Sequence, residues 1–186
     1  MTAKRLYSET EIRSALNEMA QSLAARVSAP KSQWVLVGIH RRGVPLARRL
    51  AAALDERGVA SPPVGSLDIT FYRDDAGASP LDPVVQDTDL PFDVSGKTLI
   101  LVDDVLFSGR TIRCALDELM DFGRPARVLL AVLVDRGHRE LPIQADVVGI
   151  TVPTQRDERV DVHLSEMDGE DAVWLSPPGE RKGKTR

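Results

Sequence analysis

The sequence has little cysteine and no long apolar run. Its only cysteine is Cys114, so no disulfide can form within the chain. Cys114 falls in a predicted helix, where we expect a small buried hydrophobic side chain rather than a nucleophile. No apolar run approaches the ~20 residues that span a bilayer. The first residues lack the basic-then-apolar layout of a signal peptide. We therefore expect a cytoplasmic protein that makes no contact with a membrane.

Positive charge is also in the minority. The 24 Lys and Arg against 28 Asp and Glu give a net charge of −4, which argues against general electrostatic binding to nucleic acid. A local basic face is still compatible with this balance. With 186 residues, 42% of them hydrophobic, the chain is sufficient for one domain with a substantial core. We predict a single domain over residues 1–175 and a disordered tail over 176–186, which is rich in Pro, Gly and Lys.

Two common nucleotide-binding motifs are absent. No glycine-rich loop ends in Gly-Lys-Ser/Thr, and G-x-G-x-x-G does not occur. The sequence VDDVLFSGRT is present instead, at the end of the apolar run Leu99–Val102, which has the pattern of a strand buried on both faces. Asp103 and Asp104 are predicted at the end of this strand. A short loop follows, and then a predicted helix over 110–122.

This order of elements is suited to a sugar phosphate. The two carboxylates can accept hydrogen bonds from vicinal ribose hydroxyls, while loop N–H groups and the helix N-terminus can hold a phosphate. Gly109 allows close approach of the backbone, and the hydroxyls of Ser108 and Thr111 add donors. A buried strand followed by an acidic turn is the alternative interpretation.

Three polar clusters follow three predicted strands, 34–39, 99–102 and 127–134. The clusters are His40–Gly43, Asp103–Thr111 and Asp135–Arg139. Ligands of open α/β sheets bind outside the carboxyl ends of the strands. We therefore expect the three clusters to meet at one edge of a single sheet.

Other elements follow from periodicity and capping. Ser8 and Glu11 form a predicted capping box for a helix over about 9–27, and a second helix follows Gly43. Further strands are predicted over 64–72, 145–152 and 160–164. A polar stretch from Arg73 to about Val84 is predicted to be a functional or mobile loop.

The motifs DITFYRDD, VDDVLFSGRT and LVDRGHRELPI resemble the PyrR family of pyrimidine-operon regulators, type I phosphoribosyltransferases, over about residues 5–175. The resemblance implies an α/β fold with a mostly parallel central sheet flanked by helices, a flexible lid loop and a small hood. It implies conversion of uracil and phosphoribosyl pyrophosphate (PRPP) to UMP and diphosphate. It also implies UMP-dependent binding of pyrimidine-operon leader RNA, and a homodimer or larger homo-oligomer.

The resemblance and the required chemistry assign roles to particular residues. Asp103 and Asp104 are the expected catalytic residues and Mg²⁺ ligands, the metal being held in part through water. Arg41, Arg42 and Arg73 are expected to bind pyrophosphate; for Arg41 and Arg42 a solvated basic turn is the alternative. The expected PRPP-binding residues are Leu99, Ile100, Leu101, Val102, Asp103, Asp104, Val105, Leu106, Phe107, Ser108, Gly109, Arg110 and Thr111.

The nucleobase is expected to lie beneath the hood. Arg136 is expected to contact or stack near the base, and the backbone around Val160 to read its polar edge. Asp74 and Asp75, in the lid, are equally compatible with a simple turn.

The sequence departs from RNA-binding members of that family. Arg139 is kept, but Gln144 and Ile150 stand where Arg and Lys are expected. The first helix carries Glu18, Met19, Ser22 and Val27 at positions that are polar or basic in those members. Fewer phosphate contacts predict weaker RNA binding.

Four alternatives to the full PyrR activity stay open. One is a phosphoribosyltransferase that has lost RNA-dependent regulation, and another is an enzyme for a different base. The third is a chiefly regulatory, nucleotide-responsive RNA binder with weak catalysis. The fourth is a signalling receiver domain, suggested only by the acidic pair at a strand end.

Overall fold

The computed structural model describes residues 2–26, 33–59, 62–69 and 87–178, and within them eight strands and four helices. In chain order these are β1 (Lys4–Ser8), α1 (Glu9–Arg26), β2 (Trp34–Ile39), α2 (Gly43–Asp55), β3 (Val64–Leu67), β4 (Thr98–Leu106), α3 (Arg110–Asp121), β5 (Arg127–Asp135), β6 (Val147–Thr151), β7 (Arg159–His163), α4 (Ser165–Asp168) and β8 (Ala172–Ser176). None of the helices in these ranges is long and apolar enough to cross a membrane.

The central sheet has five parallel strands in the order β3-β2-β4-β5-β6. Leu99 and Leu101 of β4 pack with α3 on one face, whereas Ile100 and Val102 pack with α1 and α2 on the other. All four side chains are fully buried. Covering both faces explains why the strand is continuously apolar instead of alternating. The structure confirms the predicted mostly parallel sheet flanked by helices.

The first helix begins at the predicted capping box. The backbone N–H and the hydroxyl of Ser8 both donate to Glu11 Oε2, at 2.8 and 2.6 Å. This contact satisfies a backbone donor that the helix itself leaves unpaired. The helix ends at Arg26; residue 27, the predicted end, lies outside the described residues.

A second, smaller sheet forms the hood, with strands in the antiparallel order β1-β8-β7. Its β7 agrees with the predicted strand at 160–164, but β1, α4 and β8 were not predicted. Val160, Val162 and Val173 of the hood belong to the same hydrophobic core as α1 and α2. The hood is therefore continuous with the main core.

The acidic pair lies within β4 and not at its end. The sequence predicts that β4 ends at Asp103 and Asp104, but the strand continues to Leu106. The reason is an unequal pairing: β2 last pairs with β4 at Val102, whereas β5 pairs with it as far as Leu106. The carboxylates therefore lie on the part of β4 that extends beyond β2, where the sheet edge is open on one side.

Other boundaries differ by smaller amounts. β3 ends at Leu67, short of the predicted Tyr72, although residues 70–72 are outside the described part of the chain. β6 spans Val147–Thr151 within the predicted 145–152. Ser176, the first residue of the predicted tail, is the last residue of β8 and is 1% exposed.

Candidate active site

The basic turn after β2 is packed tightly against β4. A Cβ atom on Gly43 would lie 2.3 Å from the carbonyl oxygen of Val102, and a Cβ on Gly38 would lie 2.5 Å from the carbonyl oxygen of Gly43. Only glycine fits at either position, because the opposing atoms are backbone. The His40–Arg41 peptide bond within this turn is cis. This packing brings the turn that carries Arg41 and Arg42, the residues expected to bind pyrophosphate, next to the acidic pair.

The acidic pair combines the buried carboxyl group of Asp103 with the partly buried carboxyl group of Asp104. Asp103 is 5% exposed and its Oδ1 accepts a hydrogen bond from the N–H of Asp104 at 2.9 Å. Oδ1 of Asp104 accepts the N–H of Val105 at 3.0 Å. Burial raises the pKa of Asp104, and hydrogen bonding to Asp103 and the charge of Arg42 partly oppose the effect. A bound cation or sugar hydroxyl would favour the ionised form that burial disfavours.

The loop after β4 surrounds a cavity of about 560 Å³. Gly109 has φ +93°, a conformation that L side chains rarely adopt, and it precedes the first residue of α3. Gly109, at the N-cap of α3, has no side chain to cap the helix, and the hydroxyl of Ser108 accepts the N–H of Arg110 at 3.4 Å. The first-turn amides of a helix are its natural anion donors. The loop can therefore hold a phosphate as the sequence predicts.

Arg139 braces this loop from behind, a role that the sequence did not indicate. Its guanidinium donates to the carbonyl oxygens of Phe107 at 2.9 Å and Ile143 at 3.0 Å, and to Asp135 Oδ2 at 2.5 Å. Backbone N–H groups of Glu140 and Leu141 also donate to the carbonyl oxygen of Ser108, at 2.9 and 3.1 Å. The phosphate loop is thus fixed to the segment after β5.

The contact with Arg139 also changes the pKa of Asp135. Burial acts to raise its pKa, but the hydrogen bonds from Arg139 and from the N–H of Gly137 outweigh burial and lower the pKa. Asp135 and Arg139 therefore form a charged pair near neutral pH.

Arg136 lies over the ring of Phe107, with Cζ 4.1 Å from the ring centroid. Its guanidinium also donates to Thr154 Oγ1 at 3.3 Å and to the carbonyl oxygens of Gln155 and Arg156, at 3.0 and 3.2 Å. The ring of His138 meets Phe107 edge-on, with centroids 6.1 Å apart. These contacts place the expected base-binding arginine against the phosphate loop.

Val160 lies in β7, opposite Leu175 of β8, and its side chain is 7% exposed in the shared core. Its side chain is therefore unavailable to a base. Because β7 is an edge strand of the hood sheet, its backbone is the part that can face a ligand.

The structure brings the three predicted polar clusters together. Arg42 acts on the charge of Asp104, and Arg136 and Arg139 contact the loop after β4. Leu99, Ile100, Leu101 and Val102, expected among the PRPP-binding residues, are 0% exposed and support the site from within the two cores. Arg73 and the rest of the expected lid lie outside the described residues.

Comparison with known proteins identifies the class first. The family model described as "Phosphoribosyl transferase domain" matches residues 2–164. A solved structure from a study of an invariant aspartic acid in HPRTs (glutamine mutant) has a TM-score of 0.71 at 22% identity, covering 92% of this chain and 94% of its own. The hypoxanthine phosphoribosyltransferase of Trypanosoma cruzi has a TM-score of 0.68 at 21% identity, covering 94% and 97%. The fold is that of the type I phosphoribosyltransferases.

Curated relatives are more specific. A protein named "Bifunctional protein PyrR" from Roseiflexus sp. (strain RS-1) is 58% identical over 169 residues, covering 91% of this chain and 92% of the relative. The protein of the same name from Thermus aquaticus is 52% identical over 170 residues, covering 91% and 93%. The chain belongs to the phosphoribosyltransferase family and, within it, to the PyrR proteins.

Proposed function

We propose that this phosphoribosyltransferase converts uracil and PRPP to UMP and diphosphate with the help of Mg²⁺. The bond between the anomeric carbon and pyrophosphate breaks, a bond from that carbon to N1 of uracil forms, and the N1 proton is lost. The departing pyrophosphate leaves an oxocarbenium-like centre, so no side-chain nucleophile is required.

One observation carries the proposal. The carboxylate pair on β4, buried at Asp103 and partly buried at Asp104, is joined through the Gly109 turn to the start of α3. The pair can hold the ribose hydroxyls while the loop and helix amides hold the 5′-phosphate. In support, two relatives that are 58% and 56% identical to this chain are named "Bifunctional protein PyrR".

The donor set around Asp103 and Asp104 fits Mg²⁺. Both supply oxygen ligands, and the described residues contain no cluster of three or more acidic, His or Cys side chains that would form a complete cage. Mg²⁺ commonly takes one or two carboxylates and keeps waters or substrate oxygens. When bound, the ion would neutralise negative charge on PRPP and the leaving pyrophosphate.

The other site residues have complementary roles in this proposal. Arg41 and Arg42, with Arg73 from the lid, bind pyrophosphate. Arg136 flanks the base, and the backbone around Val160 reads its edge. Hydrophobic burial beneath the loop keeps Asp103 and Asp104 in a fixed geometry, which lowers the cost of orienting the ribose.

A PRPP-dependent assay with uracil, hypoxanthine, guanine and orotate in parallel tests the proposal. We expect conversion of uracil alone, and we expect chelation of Mg²⁺ to abolish it. Conversion of a different base would overturn the uracil assignment but keep the phosphoribosyltransferase class. Activity unchanged after chelation would overturn the metal assignment.

A second activity, UMP-dependent binding of pyrimidine-operon leader RNA with attenuation of transcription, is supported by the word "bifunctional" in the relatives' names. The described residues offer few exposed basic side chains for RNA binding at the positions where family members carry them. Arg139 is engaged by the phosphate loop, and Met19 and Ile150 are 2% and 8% exposed. Gln144 and Glu18 are exposed but not basic.

A gel-shift titration against the leader RNA, with and without UMP, decides this second activity. Repeating the titration at two salt concentrations measures the number of phosphate contacts, since the slope of affinity against salt scales with that number. We expect a UMP-dependent shift with a shallow salt slope. The absence of any UMP-dependent shift would reject the regulatory role and leave the enzyme.

A further inference from the structure

Two arginines, one at the N-cap of α2 and one within that helix, tie the site to the hood. Arg42 immediately precedes the helix and Arg49 lies seven residues later, so both fall on the same helix face. Arg49 pairs with Glu166 and Asp171, and Arg42 pairs with Asp168. All three acids belong to the short segment that joins β7 to β8. The two arginines differ in one respect: only Arg42 is also a candidate ligand of pyrophosphate.

The ion pair between Arg42 and Asp168 is bidentate. Nη2 of Arg42 donates to Oδ1 at 2.9 Å and Oδ2 at 3.2 Å, and Nε donates to Oδ2 at 3.3 Å. The carboxylate is itself fixed, because Oδ2 also accepts the N–H of Leu164 at 3.0 Å. Asp168 therefore holds the guanidinium by one edge from an anchored position.

The contact with Asp168 does not use every donor of the guanidinium. Nη1 of Arg42 has no hydrogen-bond partner in residues 2–26, 33–59, 62–69 and 87–178, and the charge of Arg42 is felt by Asp104. A guanidinium has five N–H donors, so it can keep Asp168 on one edge and donate to a second anion. Arg42 thus pairs with the hood carboxylate while its charge also acts on Asp104.

We propose that Asp168 is a positioning residue, which pre-orients Arg42 for the pyrophosphate group of PRPP. The proposal rests on the proposed function, in which Arg42 binds that group. An arginine side chain has many rotamers, and orienting it before the ligand arrives reduces the entropy lost on binding. Asp168 should therefore affect the binding of PRPP and change the rate of the chemical step little.

Asp168→Asn removes the charge but keeps the size of the side chain. We expect KM for PRPP to rise by about 5- to 20-fold, while kcat and KM for uracil change by less than about 2-fold. The product-inhibition constant of inorganic pyrophosphate should rise by the same factor as KM for PRPP. Asp168→Glu, which restores the charge on a longer side chain, should recover part of the loss.

Glu166→Gln is the matched control. It removes one carboxylate from the same short helix and one ion pair with α2, but its partner is Arg49. If Asp168 only anchors the hood, the two variants should raise KM for PRPP equally. We expect Glu166→Gln to leave that KM unchanged, and the two variants to have similar thermal unfolding temperatures.

A double-mutant cycle with Arg42→Gln shows whether Asp168 acts through Arg42. We expect Asp168→Asn to add no further rise in KM once Arg42 is replaced; full additivity would overturn the proposal. A lower KM in Asp168→Asn would also overturn it, since Asp168 would then compete with pyrophosphate. If Asp168→Asn is not obtained folded, Asp168→Glu takes its place with the same expected direction. An inactive wild-type enzyme would instead reject the proposed function.

Discussion

The two sides of the site are held by different kinds of contact. On the ribose-phosphate side, backbone hydrogen bonds and the half-buried Arg139 fix the loop after β4 to the segment after β5. On the pyrophosphate side, Arg42 is held by Asp168 across side chains that are 30% and 21% exposed. The first arrangement favours a fixed cradle, whereas the second relies on an ion pair weakened by solvent.

This difference fits the chemistry that we propose for each side. The 5′-phosphate stays bound from PRPP to nucleotide, so a rigid site costs nothing during the reaction. Pyrophosphate must be bound and then released, and a partly exposed arginine suits both steps. Substitutions at the carboxylates, the arginines and the loop test this contrast.

Asp104→Asn should reduce kcat/KM by on the order of 10²–10³-fold, because it removes a charged group from the reacting centre. The same variant should be more stable than the wild type at neutral pH, since burial of the charge is the main cause of the raised pKa of Asp104. Steady-state kinetics and thermal unfolding measure the two effects. If Asp104→Asn is as active as the wild type, Asp104 is not a catalytic residue.

The raised pKa of Asp104 makes the stability of the fold depend on pH. The folded protein retains a proton on Asp104 above the usual value of 3.8, so its contribution to stability falls as the pH rises from that value through the raised pKa. The stability gain of Asp104→Asn should therefore grow with pH across this window and vanish below it. A gain that is independent of pH would point to packing in place of charge.

Arg139→Gln should destabilise the fold by about 2–4 kcal/mol, somewhat less than a fully buried broken pair, because Arg139 is 22% exposed. The variant leaves Asp135 without its main partner and the carbonyl oxygens of Phe107 and Ile143 without their donor. Urea unfolding measures the change. The control is Arg113→Gln, whose pair with Asp117 lies on the exposed surface of α3; its cost should stay below about 1 kcal/mol.

Phe107→Leu should raise KM for uracil by about 3- to 10-fold, because it removes the aromatic face on which Arg136 rests. KM for PRPP should change little, since the loop backbone and its brace by Arg139 remain. Phe107→Tyr, which keeps the ring, serves as the control and should behave like the wild type. Equal increases in both KM values would indicate that the whole loop had shifted.

Much of the main sheet was predictable because its signals are local. Apolar runs such as Leu99–Val102 indicated buried strands, and Ser8 with Glu11 indicated the start of α1. The order of strand, acidic pair, glycine loop and helix in VDDVLFSGRT indicated the ribose-phosphate site. Local patterns suffice where each residue's neighbours in sequence are also its neighbours in space.

Two strands of the hood, β1 and β8, escaped prediction because their pairing is distant in sequence. β1 carries Lys4 and Arg5 in only five residues, and its partner β8 begins at Ala172. Neither strand has a periodicity that stands out from a polar loop. Their strand character comes from pairing with each other and from burial over the shared core.

The sequence by itself determined the class of chemistry, since the acidic pair, the glycine turn and the family motifs can be identified without coordinates. Only the tertiary structure decided which arginines are available to a ligand. Arg42, Arg49, Arg136 and Arg139 have the same charge in the sequence, but Arg49 ties α2 to the hood, Arg139 braces the loop, and Arg136 rests on Phe107. These roles depend on carboxylates and carbonyl oxygens brought close by the fold, and sequence spacing alone cannot reveal them.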